Sequence, residues 1–146
     1  MILEKPALLE VFSEPCSRTA FALELEPSDR IVGVCSSSGK LGHSISLGNS
    51  DVALAVADTA VLADALATAI GNRIQDTTSL RTCFDPFRNV SGFIGGLAMI
   101  EGCASVHGRL PRLVEVEHNP DRLTVHSRMS SPRYIGDNSA REEVPP

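Results

Sequence analysis

Tryptophan is absent from this chain and tyrosine occurs once. No basic run is interleaved with aromatics, so there is no platform on which unpaired bases would stack. Basic residues are also in deficit: 13 Lys and Arg stand against 18 Asp and Glu, a net charge of −5. That balance argues against nucleic acid or an acidic membrane surface as a partner. No apolar run is long enough to cross a bilayer. The opening MILEKPALLEVF carries acids where a signal peptide needs bases, and it has no small-residue cleavage site. Cys16, Cys35, Cys83 and Cys103 are widely spaced and form no C-x-x-C pair. Neither a zinc knuckle nor a thioredoxin-like motif is therefore expected. The cysteines read as reduced thiols of a cytoplasmic protein. Internal repeats and low-complexity tracts are lacking too.

What is present is an ordinary globular composition over 146 residues, 42% apolar and 21% charged, which fits one domain. The stretch 51–72, DVALAVADTAVLADALATAIGN, organises it. Asp51 to Ala57 is an unbroken apolar run after its first residue, the pattern of a strand covered on both faces. Asp58 or Thr59 can cap a helix that begins at Ala60, and Gly71-Asn72 is a plausible stop. From Ala60 to Ile70 only Asp64 and Thr68 are polar, four apart and so on one face. A helix apolar nearly all round is expected to be buried nearly all round. A buried carboxylate then needs a cation, a metal or a proton. Two ordinary readings stand beside the metal: Thr68 bonding back to the Asp64 carbonyl, and Asp64 paired with an arginine.

Before this stretch, Ala7 to Ser13, Thr19 to Glu26 and Ile31 to Cys35 read as strands, with a turn at 27–29. The segment Ser36-Ser37-Ser38-Gly39-Lys40-Leu41-Gly42-His43-Ser44 is dense in glycine and hydroxyls. Such a loop can aim backbone N–H groups at an anion, or be a plain polar turn. It is not a P-loop: Gly33 lies one residue too far from Gly39, and Leu41 follows Lys40. Ile45 to Leu47 reads as a brief strand. After the helix, Asp76-Thr77-Thr78 can cap a second short helix ending near Phe84, broken by Asp85-Pro86. Phe93 to Ile100 reads as a buried strand whose Gly95-Gly96 marks a bulge or a close approach. Glu101-Gly102 turns it into a return strand, Cys103 to His107. Leu113 to Glu117 alternates and suits a sheet edge, and Leu123 to His126 suits a last short strand. Residues 127–146 are poor in apolar side chains and are expected to be disordered or draped on a neighbour. The fold class expected is α+β, a mostly antiparallel sheet with two helices packed on one face.

From Gly33 to Asn72 the chain resembles the ApbE-like flavin transferase superfamily, and most of all its uncharacterised cytoplasmic branch in archaea and bacteria. The residues that carry the likeness are Cys35-Ser-Ser-Ser-Gly39, Gly42-His43-Ser44 with a following Ser-Asp, and Ala63-Asp64-Ala-Leu-Ala-Thr68-Ala69. The resemblance implies that Asp64 and Thr68 bind Mg²⁺, which activates the FAD diphosphate for transfer of FMN to a protein hydroxyl. It implies that Ser36, Ser37, Ser38, Gly39 and His43 lie beside the flavin nucleotide, with His43 holding a phosphate or relaying a proton. A structural hydrogen bond is the ordinary role for that histidine. It implies further that 1–126 corresponds to the C-terminal half of such a domain. The partner would then be a second copy or a separate chain that supplies the N-terminal half. Some members of the branch are implicated in sulfur assimilation toward homocysteine, which would engage the Cys35 thiol. A buried, inert cysteine is the alternative.

Overall fold

A computed structural model describes residues 5–11, 19–27, 32–40 and 46–117. The fold is α+β, with seven strands in two antiparallel sheets and one α-helix among the described residues. The strands are β1 (Ala7–Val11), β2 (Thr19–Leu25), β3 (Gly33–Ser37), β4 (Val52–Ala57), β5 (Phe93–Ile100), β6 (Cys103–Gly108) and β7 (Arg112–Glu117); the helix, α1, is Ala60–Asn72. One sheet has the order β1-β2-β7 and the other β3-β4-β5-β6. The expected single sheet is thus two. The alternating β7 pairs with β2 and forms an edge, as its sequence suggests.

The layering follows from the pattern of β4. All six of its residues are buried. Ala53, Ala55 and Ala57 face α1, packed with Ala63, Leu66, Ala67 and Ile70. Val52, Leu54 and Val56 face the other sheet, packed with Val11 and Leu23. Side chains alternate along a strand, so small residues on one face let the helix sit close while larger ones fill the gap between sheets. Burying Leu54 or Leu23 stabilises the fold by about 1.5–3 kcal/mol each.

Thr59 is the N-cap of α1: its hydroxyl accepts from the Leu62 N–H at 3.2 Å. The second helix of the sequence reading is instead two single 3₁₀ turns, Ser79–Arg81 and Asp85–Phe87. Asp76 accepts from the Thr78 and Ser79 N–H groups, as a cap should. Pro86 two positions past Phe84 then prevents an α-helical continuation. The Thr78 hydroxyl on Asp76, together with the Ser79 N–H, holds that carboxyl below the usual range. Gly96 is the close approach expected of the Gly-Gly pair. A Cβ there would lie 2.7 Å from the Phe84 ring, and Phe84 and Phe93 flank His107 at 5.6 Å each.

The strand expected at 123–126 and the tail at 127–146 lie outside the described residues, as does most of the turn at 27–29. Ser46 and Leu47 are not in a strand, and Ile45 lies outside the described residues.

Candidate functional site

The helix lies mainly over β3 and β4, displaced toward the β3 edge of its sheet. Two glycines set this placement. A Cβ on Gly33 would stand 2.4 Å from the Ala60 Cα and N, so the first turn of α1 rests directly on β3. At the other end, a Cβ on Gly71 would be 3.3 Å from Ser50 Oγ and 3.8 Å from Ser37 Oγ. Strand and helix therefore run side by side from Gly33 and Ala60 to Ser37 and Gly71. Cys35 sits midway, its Sγ donating to the Ala60 carbonyl at 3.6 Å.

Asp64 and Thr68 occupy the flank of α1 above this seam. The residues that face the sheet are Ala63, Leu66, Ala67 and Ile70. Helical periodicity then puts Ala60, Asp64 and Thr68 on the β3 side and Val61 and Ala65 on the crest. All five are exposed, Val61 by 82%. This corrects the expectation of a helix buried nearly all round: only one face and its shoulder are covered. Asp64 is consequently a solvated carboxylate. Among the described residues it has no ion pair, and Thr68 makes no side-chain hydrogen bond, so neither ordinary reading of the pair is realised there.

Asp64 nevertheless acts on its neighbour. Burial pushes the Cys35 thiol above its ordinary value, and the Asp64 charge pushes it further. The thiol is thus held protonated, the opposite of an activated nucleophile. Asp64→Asn removes one of the two causes, so the Cys35 pKa should fall and its alkylation by iodoacetamide at pH 8 should become faster. Peptide mass spectrometry separates this from exposed Cys103 and buried Cys83. An unchanged Cys35 rate would show that the two groups do not face each other.

The Ser-rich segment closes the C-terminal end of the seam. Ser36 is exposed and Ser37 is half-buried. Ser38 Oγ accepts from the Lys40 N–H at 3.1 Å, and the Gly39 N–H donates to the Ser50 carbonyl at 2.8 Å. These two N–H groups are thus engaged within the chain. Beneath them Ser50 is fully buried, and its Oγ has no hydrogen-bond partner among the described residues. His43, Gly42 and Ser44 lie outside the described residues. No group of three His, Cys, Asp or Glu comes together as a metal cage among the described residues.

Sequence reasoning missed Asp51. The residue is 3% exposed, and its carboxylate pairs with Lys40 Nζ at 2.6 Å and accepts from the Glu101 N–H at 2.7 Å. Asp51 therefore latches the Ser-rich segment to the β5–β6 turn, where Glu101 adopts φ 51°. An acid heading an apolar strand was the available signal. Its partners are 11 and 50 positions away, and only the fold joins them.

The architecture is that of an α+β domain with a helix-and-strand seam at one sheet edge, and no helix among the described residues is long and apolar enough to cross a membrane. A sequence model of the family described as AbpE bacteria matches residues 3–85, and the chain belongs to that family. It is similar to archaeal UPF0280 proteins, an uncharacterised family. The relative from Methanocella arvoryzae is 38% identical over 124 residues, covering 85% of this chain and 51% of the relative. One from Methanothrix thermoacetophila is 35% identical over 121 residues, 83% of this chain and 51% of the relative. One from Archaeoglobus fulgidus is 37% identical over 107 residues, 70% and 46%. The chain spans about half the length of these relatives.

Proposed function

We propose that the seam between α1 and β3 is one wall of a flavin nucleotide site, in which Asp64 and Thr68 hold Mg²⁺ in the manner of an ApbE-like FAD-binding or FMN-transferring protein. One observation carries this reading. Asp64 has no cation among the described residues, and a hydroxyl lies one turn further along the same flank. Two hard oxygen donors suit Mg²⁺, which reaches a protein through few groups and keeps positions for water and phosphate. When bound, the ion would offset the charge of the diphosphate. The chain's own part is to orient. Asp64 supplies the charge and Thr68 a neutral oxygen, while Ser37, on the α1 face of β3 with Cys35, offers a hydroxyl for phosphate or ribose. Ser36, paired with Leu54, lies on the other face of the strand and would reach a nucleotide only through its backbone. His43 holds a phosphate or relays a proton in this reading.

Thiol chemistry at Cys35 is the weaker reading, because burial and Asp64 both disfavour the thiolate. Isothermal titration of FAD with MgCl₂ into the pure chain tests the flavin site. Asp64→Ala should weaken binding about tenfold or more, about 1.4 kcal/mol. Absent heat with the unaltered chain, or the same affinity after substitution, removes the proposal.

A further inference from the structure

We infer that the edge of β3 left unpaired among the described residues and the adjoining outward face of α1 are the docking surface for a second polypeptide segment, the counterpart of the half of the UPF0280 relatives that this chain does not span. Three observations on different levels meet here. The first is backbone. β3 pairs only with β4 among the described residues, which leaves one side of Gly33–Ser37 without strand partners. An open edge is normally blunted by lysine, proline or a bulge. The GVCSS of β3 has neither lysine nor proline, and its pairing with β4 runs without a register shift. The second is side chains. The exposed face of α1 next to that edge is Ala60, Val61, Asp64, Ala65 and Thr68, with a single charge. A helix face left to water ordinarily carries several. The third is length. The matched region is 51% of the Methanocella arvoryzae relative, so that protein has a comparable length of chain to place against the part seen here.

The other sheet edge does not offer this combination. β6 ends at Gly108 with φ 66°, and α1 lies over the opposite side of the sheet. The occupant that fits β3 is an extended segment that adds a strand to the edge, with apolar side chains to lie on Val61 and Ala65. A cationic group or a shared metal would answer Asp64. Docking would also close the open side of the seam that holds Cys35, Asp64 and Thr68. The inference does not depend on the flavin reading, since it concerns assembly and is read without nucleotide.

The full chain, produced in the same cells as the unmatched part of the Methanocella arvoryzae relative supplied as a separate chain, provides the test. Light scattering on the purified material should give the mass of a one-to-one complex, and hydrogen exchange should slow at 33–37. Val61→Glu should reduce the complex at least tenfold. Val106→Glu, at another exposed position, on β6 and away from this surface, should leave it intact. Circular dichroism checks that both variants fold, which their exposure makes safe. Failure to form the complex overturns the inference, as does a complex indifferent to Val61→Glu. A homodimer of this chain that Val61→Glu abolishes overturns the occupant and assigns the surface to a second copy.

Discussion

Gly33→Ala is expected to lower stability by about 3 kcal/mol, the upper end of the usual cost of overpacking a filled interior. The reason is what the added methyl meets. It would stand 2.4 Å from the backbone of Ala60 and of Thr59, and backbone cannot rotate aside as a side chain can. Either α1 lifts from β3 or the strand bends, and both disturb the Ala layer of β4 beneath. Urea unfolding should show a lower midpoint with an unchanged slope. Gly102→Ala is the comparison. That glycine has φ 75° but nothing within 4 Å of the new methyl, so its cost is conformational alone, about 1 kcal/mol. Equal losses for the two variants would mean that the helix and strand are not packed as described.

Lys40→Met should cost about 3 kcal/mol, and more than Asp51→Asn at about 1 kcal/mol. The asymmetry comes from burial. The Asp51 side chain is 2% exposed and that of Lys40 43%. Removing the lysine leaves a buried carboxylate with one remaining N–H donor, the costly way to break such a pair. Removing the carboxylate charge leaves an ammonium that turns to water, and an asparagine oxygen can still accept from Glu101. The double variant should be less destabilised than the sum, as a thermal or urea double-mutant cycle would show. Additive losses, or a larger loss for Asp51→Asn, would mean that the pair does not hold the Ser-rich segment.

Much of the fold was legible because it rests on short-range pattern. The apolar run of β4, the Thr59 cap and the Glu101-Gly102 hairpin are all written within a few residues of where they act. The division into two sheets was not, because alternation says that a strand has two faces but not which strands share one. The exposure of α1 was not legible either. A run of alanine, valine and leucine gives no clear apolar stripe, so its composition does not say which side of the helix the sheet covers. Asp64 and Thr68 were visible as two polar residues in an apolar helix. Asp51 was not, because its meaning depends on Lys40 and Glu101 arriving from a loop and a turn distant in the sequence.

The two-sided cover of β4 decides how the molecule comes apart. A strand clothed by a helix on one side and by a sheet on the other cannot be freed by peeling away either layer alone. Fluctuations that release its amides must dissolve both, and so approach complete unfolding. The edge strands, by contrast, can fray while this centre survives. The protein should therefore present its seam on a locally yielding margin fastened to a core that opens last.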